Sequence, residues 1–327
     1  MRKLVLILIV VLLAAAILTF NLARRPSATA SLSTNEAAGS APTESNKKQA
    51  PKAAPAAPTY PPVGIAIGTD KGILLLTEAG RTLRYLTNGP DSDPVWSRDG
   101  QHLAFVRMTD EQKTIWVAKA DGSDPWRLTT ATGRDEMQPC WSPSGKEIAF
   151  LATPSAEGSI FIAPVSGGDE RAVDPEEGNY NFLDWSPATS YDLLVYCKCP
   201  NDTNDEGADL YSLVGEIEYG YLTRGAATDI EPTFSPDGKH IAFFRDKTLC
   251  VMKKDGTELK KLLTVEPDAF PSPIAWSPKG DRLAFIRSLY SGEDGPADVS
   301  IMTVAADGTG LRRLCGLASE PTGLCWR

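Results

Sequence analysis

Carboxylates are the residues of this chain best placed, by number and spacing, to do chemistry. Asp93, Glu136, Glu231 and Glu320 each stand a few residues ahead of an aromatic, Trp96, Trp141, Phe234 and Trp326. Asp202, Asp205, Glu206 and Asp209 crowd into one polar stretch. They are candidate ligands for a hard cation such as Ca2+, although their spacing is not that of an EF-hand loop. Two carboxylates facing across a cleft would instead serve glycoside cleavage. Imidazole chemistry has little to draw on. The two histidines, His102 and His240, occupy the same repeat position in different units, which supports neither a Ser-His-Asp triad nor a multi-His zinc site. The serine elbow Gly-x-Ser-x-Gly does not occur, and no catalytic residue is assigned. Cys140, Cys250 and Cys325 sit in apolar patterns and read as small buried hydrophobes; Cys197 and Cys199 are candidates for pairing with each other or with another thiol.

A repeat positions these groups. The segment Pro232-Thr233-Phe234-Ser235-Pro236-Asp237-Gly238-Lys239-His240-Ile241-Ala242-Phe243 can be laid over Pro94 to Phe105, Pro139 to Phe150 and Pro273 to Phe285. Looser copies run from Phe182 to Val195 and from Pro321 to Arg327. Its aromatics, Trp96, Trp141, Trp185, Phe234, Trp276 and Trp326, lie 45, 44, 49, 42 and 50 residues apart. A period in this range with Gly-rich turns predicts a radial array of small antiparallel sheets. The first unit, from Val63 to Thr87, has three strand patterns and lacks the leading one, which Pro321 to Trp326 supplies. The expected fold is therefore all-β: a six-bladed propeller of four-stranded antiparallel blades over residues 63–327, closed by a C-terminal strand that joins the first blade and leaves no bare edge.

Turn chemistry agrees with that reading. Pro presets one backbone angle of the Ser-Pro-Asp-Gly turn, Asp bonds its own backbone, and Gly takes the positive φ. Asp-Gly at 121–122, 255–256 and 307–308 does the same for the outer hairpin. The six aromatics are expected to pack one blade on the next, so that losing one costs about 3–5 kcal/mol. In an up-and-down blade the links from strand 4 to the next strand 1, and from strand 2 to strand 3, emerge on one face. That face gathers Asp91, Asp93, Asp135, Glu136, Asp229, Glu231, Glu266, Asp268 and Glu320 from the first set of links, with Asp110, Glu111, Asp202, Asp205, Glu206, Asp209, Glu293, Asp294 and Asp298 from the second. An acidic rim around a channel mouth is predicted, with Asp93, Glu136, Glu231 and Glu320 as its candidate binding residues.

Charge is divided along the chain. Residues 1–62 carry seven basic and two acidic groups, for +5, and the remainder carries 26 basic and 40 acidic groups, for −14. A nucleic-acid backbone is an unfavourable partner for such a domain, whereas a basic protein or cationic peptide suits it. Ahead of the repeats, Arg2 and Lys3 precede the apolar run Leu4 to Phe20. Its 17 residues stand at the lower edge of a membrane span. Residues 1–25 are read as an uncleaved single-pass anchor, or as a signal segment cut near Ala28-Thr29-Ala30, which would release a secreted or periplasmic protein. Residues 26–62, rich in Ala, Pro and Ser, read as a disordered linker.

The repeat pattern Pro-x-Trp-Ser-Pro-x-Gly-x-x-Leu/Ile-Ala-Phe followed by Ile-x-Val-x-x-x-Asp-Gly resembles the repeats of the TolB-like propeller family, found also in the noncatalytic propeller of the prolyl oligopeptidase group. The resemblance covers roughly residues 63–327. TolB-like proteins carry a small α/β domain ahead of the propeller, where this chain has the linker pattern. Together the resemblance and the residue pattern imply a noncatalytic, extracytoplasmic binding or scaffolding propeller at a bacterial envelope, monomeric, cofactor-free unless Ca2+ is held, and touching the membrane through its N-terminal segment only. The alternative is an envelope lyase or glycan hydrolase with its site at the acidic channel mouth.

Overall fold

The computed structural model describes residues 64–130, 133–153, 159–173, 179–187, 193–199, 207–215, 217–266, 269–290 and 296–327. The chain divides at Ala56–Ala57 into two units, and all the described residues belong to the second. The expected anchor or signal segment and the linker lie outside the described residues. Among the described residues no helix is long and apolar enough to cross a membrane.

In chain order the strands are β1 (Gly64–Thr69), β2 (Gly72–Thr77), β3 (Thr82–Tyr85), β4 (Asp91–Trp96), β5 (His102–Thr109), β6 (Gln112–Lys119), β7 (Trp126–Arg127), β8 (Asp135–Trp141), β9 (Glu147–Thr153), β10 (Ser159–Pro164), β11 (Arg171–Ala172) and β12 (Asn179–Trp185). They continue as β13 (Leu193–Cys199), β14 (Asp209–Val214), β15 (Ile217–Tyr221), β16 (Asp229–Phe234), β17 (His240–Arg245), β18 (Thr248–Lys253), β19 (Lys260–Thr264), β20 (Ala269–Trp276), β21 (Arg282–Tyr290), β22 (Pro296–Ala305), β23 (Arg312–Leu317) and β24 (Thr322–Trp326). The arrangement is a propeller of four-stranded antiparallel sheets. β8 to β11, β12 to β15, β16 to β19 and β20 to β23 each form one such sheet. The other eight strands count as a single sheet because the pair Thr69–Asp91 links β1 to β4. Within it, β24-β1-β2-β3 and β4-β5-β6-β7 are two antiparallel runs of four.

The second strand of each run is apolar almost throughout rather than alternating, because a sheet packed between two neighbours is buried on both faces. Leu103 to Val106 and Ile241 to Phe244 are buried at every position. The apolar clusters accordingly lie between sheets: Ala66, Ile73 and Leu75 meet Trp96, Leu103 and Phe105, and at the far end of the chain Ala275, Ala284 and Ile286 meet Ile65, Ile67 and Leu324. The repeat aromatics Trp96, Trp141, Trp185, Phe234 and Trp276 are buried, and Trp326 is partly so. Two of them also reach the preceding sheet by hydrogen bond, Trp141 Nε1 donating to the Val95 carbonyl and Trp276 Nε1 to that of Thr233, each at 3.1 Å.

The turns carry a role that the motif alone did not assign to serine. In the turn after β4, Ser97 Oγ donates to Asp99 Oδ1 at 2.7 Å and accepts the His102 amide at 2.9 Å. Ser235 does the same with Asp237 and His240. The outer Asp-Gly turns have φ of 83° at Gly122, 82° at Gly256 and 91° at Gly308. Glycine is needed there for a second reason. A Cβ on Gly122 would lie 1.8 Å from the Leu86 carbonyl oxygen, and one on Gly256 2.7 Å from that of Leu222, so these hairpins press on the residue that follows the outer strand of the preceding sheet.

Candidate functional site

The innermost strands break register at one shared place. β4 pairs with β5 through Ser92–Val106 and then Val95–Ala104, so Asp93 and Pro94 together face Phe105. Gln138 and Pro139 face Phe150, Phe182 and Leu183 face Tyr196, and Glu231 and Pro232 face Phe243 in the same manner. Each is a β-bulge, two residues against one. The first residue of each has positive φ: 48° at Asp93, 52° at Gln138, 56° at Phe182 and 57° at Glu231. Such a backbone is uncommon for non-glycine residues and costly for a bulky one. Proline suits the second place because the bulge leaves no ladder bond for its missing N–H. The Ala-Phe of the repeat is thus the partner of the bulge.

A bulge turns an amide out of its own ladder, and the preceding sheet supplies the acceptor. The Gln138 amide donates to Asp93 Oδ2 at 3.4 Å, and the Phe182 amide to Gln138 Oε1 at 2.6 Å. Phe182 has no polar group with which to continue the series. Asp184, two residues on, clamps the next sheet instead: its Oδ2 accepts the Phe234 amide at 2.7 Å and Thr233 Oγ1 at 3.1 Å, while Oδ1 accepts the Trp185 amide at 2.8 Å. Burial pushes the Asp93 carboxyl above its usual value against the pull of the Gln138 amide. It does the same to Asp184 against the Phe234 amide and Arg98.

These strands enclose a channel of about 900 Å³. Asp93, Gln138, Glu231 and Glu320 line it toward the links between sheets, and Arg98, Pro187, Pro236, Pro278 and Arg327 toward the strand 1–2 turns. Cys140, buried, and Cys325, partly buried, lie in its wall, with their thiols pushed up by desolvation, that of Cys325 to about 12.

The candidate rim residues separate on inspection. Asp93 and Glu231 are half-buried in the channel, and Glu320 is exposed at its edge, accepting the Tyr290 hydroxyl at 2.8 Å. Glu136 is fully buried away from the mouth. Its carboxylate accepts the Ile115 amide at 3.2 Å, the Thr129 hydroxyl and Arg134 at 3.0 Å, and burial raises its pKa. Asp91 and Asp229 are also withdrawn from the surface, each held by two bonds of 2.8 and 2.7 Å from Arg107 and Arg245 respectively. Asp110, Glu111 and Glu266 stay exposed, Glu266 accepting two bonds of 3.0 and 3.2 Å from Arg287, and Asp268, Glu293 and Asp294 lie outside the described residues. The acidic face is therefore sparser than its composition implies, because arginines on β5 and β17 neutralise its first ring.

Of the candidate Ca2+ ligands, Asp202, Asp205 and Glu206 lie outside the described residues. Asp209 is buried on β14, its carboxyl pushed up by desolvation and by neighbouring Asp229. Among the described residues no three His, Cys, Asp or Glu side chains converge as a metal site. His102 packs edge-on against Trp126, ring centroids 5.9 Å apart, and neither histidine lines the channel. Cys197 is buried, and the Cys199 side chain lies outside the described residues. Sequence reasoning missed Gln138, Phe182 and Asp184 as channel residues. The signal for the first was its place immediately before the repeat proline, shared with Asp93 and Glu231.

No protein-family model matches the chain. An uncharacterized protein of Agrobacterium fabrum is 31% identical over 131 residues, which are 38% of this chain and 41% of that protein, so the match spans less than half of either. Among solved structures, TolB from Acinetobacter baumannii superposes with a TM-score of 0.65 at 16% identity, over 81% of this chain and 66% of that one. A chain from Agrobacterium tumefaciens assigned as TolB gives 0.60 at 22% identity, over 80% and 90%. A chain of a nidogen/laminin complex gives 0.63 at 10% identity, over 81% and 98%. At these identities the likeness establishes a TolB-like propeller fold.

Proposed function

We propose that residues 63–327 form a six-bladed propeller that serves as a noncatalytic binding or scaffolding module on the extracytoplasmic side of a bacterial envelope. In this reading residues 1–25 anchor it or direct its export, residues 26–62 tether it, and a basic protein or cationic peptide docks at the link-side mouth of the channel. The blade count is supported by the two runs of four strands within the eight-stranded sheet and by the contact of β24 with both β20 and β4. The observation that carries the binding role is the convergence of Asp93, Glu231 and Glu320 on one channel mouth. Carboxylates set at the opening of a low-dielectric cavity focus a field that attracts cations and speeds their encounter. Glu136 takes no part in this face.

The defined test is titration of the full chain with a lysine-rich peptide and with its glutamate counterpart at several salt concentrations. Glu231→Gln with Glu320→Gln should weaken binding of the lysine peptide about tenfold, at unchanged melting temperature, for the loss of two mouth charges. Equal binding of both peptides, or a lysine-peptide affinity indifferent to salt and to the double substitution, would remove the mouth as a docking face.

A further inference from the structure

The opposite end of the channel carries a departure from the repeat that the docking role does not use. Four of the strand 1–2 turns have proline after the serine, at Pro143, Pro187, Pro236 and Pro278, and the turn after β4 has Arg98 in that place. The turn itself closes as those at Gly145, Gly238 and Gly280 do, with the Gly100 amide donating to the Ser97 carbonyl at 2.8 Å. Asp99 is spent on this turn, its Oδ1 accepting Ser97 Oγ and the Gln101 amide at 2.7 and 2.9 Å. It does not neutralise its neighbour.

Arg98 reaches past the next sheet. Its Nη2 donates to the Trp185 carbonyl at 3.2 Å, which fixes the guanidinium at the turn-side end of the channel while the side chain stays exposed. A guanidinium has five N–H donors in a rigid planar fork, and among the described residues this one uses a single donor. Asp184 is near enough to act on it electrostatically, yet the Asp184 oxygens bond the Phe234, Thr233 and Trp185 donors, and neither a hydrogen bond nor an ion pair joins the two residues. Arg327 lines the same end, its guanidinium 5.5 Å from the Trp96 ring. The result is an oriented cation with spare donors, in a cavity, where the repeat would place a proline.

We infer that Arg98 forms an oxyanion site at the turn-side end of the channel, taking a carboxylate or phosphate group in the fork left open by its single bond to Trp185. The chemistry is that of bidentate arginine recognition, in which two parallel N–H donors meet two oxygens of one anion. The site is independent of whatever docks at the acidic mouth.

Substitution can be made without inventing a new turn, because Arg98→Pro restores the residue found in the sister turns. Full-length protein labelled with nitrogen-15 at arginine Nε is titrated at constant ionic strength with acetate, inorganic phosphate and chloride. The Arg98 resonance is identified by its loss in Arg98→Pro, and exposed Arg81 serves as the surface reference. The Arg98 signal should shift saturably, with an affinity about tenfold above any response of Arg81, as a charge-assisted fork requires. Acetate alone acting would assign the site to a carboxylate, phosphate alone to a phosphate ester. Arg98→Lys keeps the charge without the fork and should lose most of the effect. A Glu231→Gln, Glu320→Gln variant should keep it, which separates this site from the mouth. Arg98 and Arg81 moving together, chloride acting as well as the oxyanions, or an anion-induced rise in melting temperature surviving in Arg98→Pro would each overturn the assignment.

Discussion

Asp184 provides the sharpest test of how the sheets are held around the channel. Its carboxylate accepts three hydrogen bonds, and two come from the next inner strand, the Phe234 amide at 2.7 Å and the Thr233 hydroxyl at 3.1 Å. Asp184→Ala leaves the Phe234 amide with no acceptor, at about 1–3 kcal/mol for an unsatisfied buried donor. The Thr233 hydroxyl can turn toward the channel, so its loss adds only about 0.5–1 kcal/mol. The sum is about 1.5–4 kcal/mol, a large part of an ordinary folding free energy. Urea unfolding of the full chain, followed by tryptophan fluorescence, measures it. A cycle with Thr233→Val isolates the cross-sheet term, which should couple to Asp184→Ala by about 1 kcal/mol. If Asp184→Ala costs less than about 1 kcal/mol, or the two substitutions add within about 0.5 kcal/mol, the clamp is not what joins these sheets.

The outer hairpins and the channel carboxyls give two further expectations. Gly122→Ala should cost more than about 2 kcal/mol, because a strained backbone is joined by a Cβ only 1.8 Å from the Leu86 oxygen; Gly145→Ala, at φ 66° with nothing within 4 Å, should cost about 1 kcal/mol. Equal losses in melting temperature would show that the turns and not their contacts select glycine. Asp93 has a raised carboxyl, so the folded state holds its proton more tightly than the unfolded chain does. Its contribution is complete below the ordinary value of 3.8 and declines as pH rises through the folded pKa. Wild type should therefore lose stability relative to Asp93→Asn as pH climbs from that value, measured by urea midpoints across the acid range, and a difference that grows in wild type's favour would refute the burial argument.

Much of this architecture was legible because propeller repeats state themselves in residue types. Aromatics separated by 42 to 50 residues located the inner strands, and the Asp-Gly pairs located the outer hairpins. The bulges were not legible, because a bulge changes pairing by one residue and leaves composition untouched. Asp93 and Glu231 were read from their charge as mouth groups; they are also the positive-φ residues of the inner strands. The acidic rim was overcounted for a related reason. Asp91 meets Arg107 across 16 residues and Asp229 meets Arg245 across 16, pairings that appear only once strand register is known. Glu136 is buried among Ile115, Thr129 and Arg134, so its charge never reaches the surface. A charge counted on a link is a surface charge only where no cross-strand arginine reclaims it.

Where the repeat is kept, it builds wall; where it is broken, it gives the channel a direction. The residue just before the repeat aromatic is Val95, Cys140, Thr233, Ala275 or Cys325 in the other sheets, and Asp184 in this one. The positive-φ bulge residue is Asp93, Gln138, Glu231 or Gly323 on the other inner strands where one is described, and Phe182 here. The turn that would carry proline carries Arg98, bonded to the sheet that holds both of those departures. A ring of equivalent units offers a ligand as many equivalent poses as it has units. Substituting one cation, one anion and one apolar group on two sheets that face each other past a third removes that degeneracy. Specificity is a difference of affinities, and an anion held by the proposed Arg98 site would meet neighbours, Trp185 and the strand of Phe182 and Asp184, that the other sheets do not repeat.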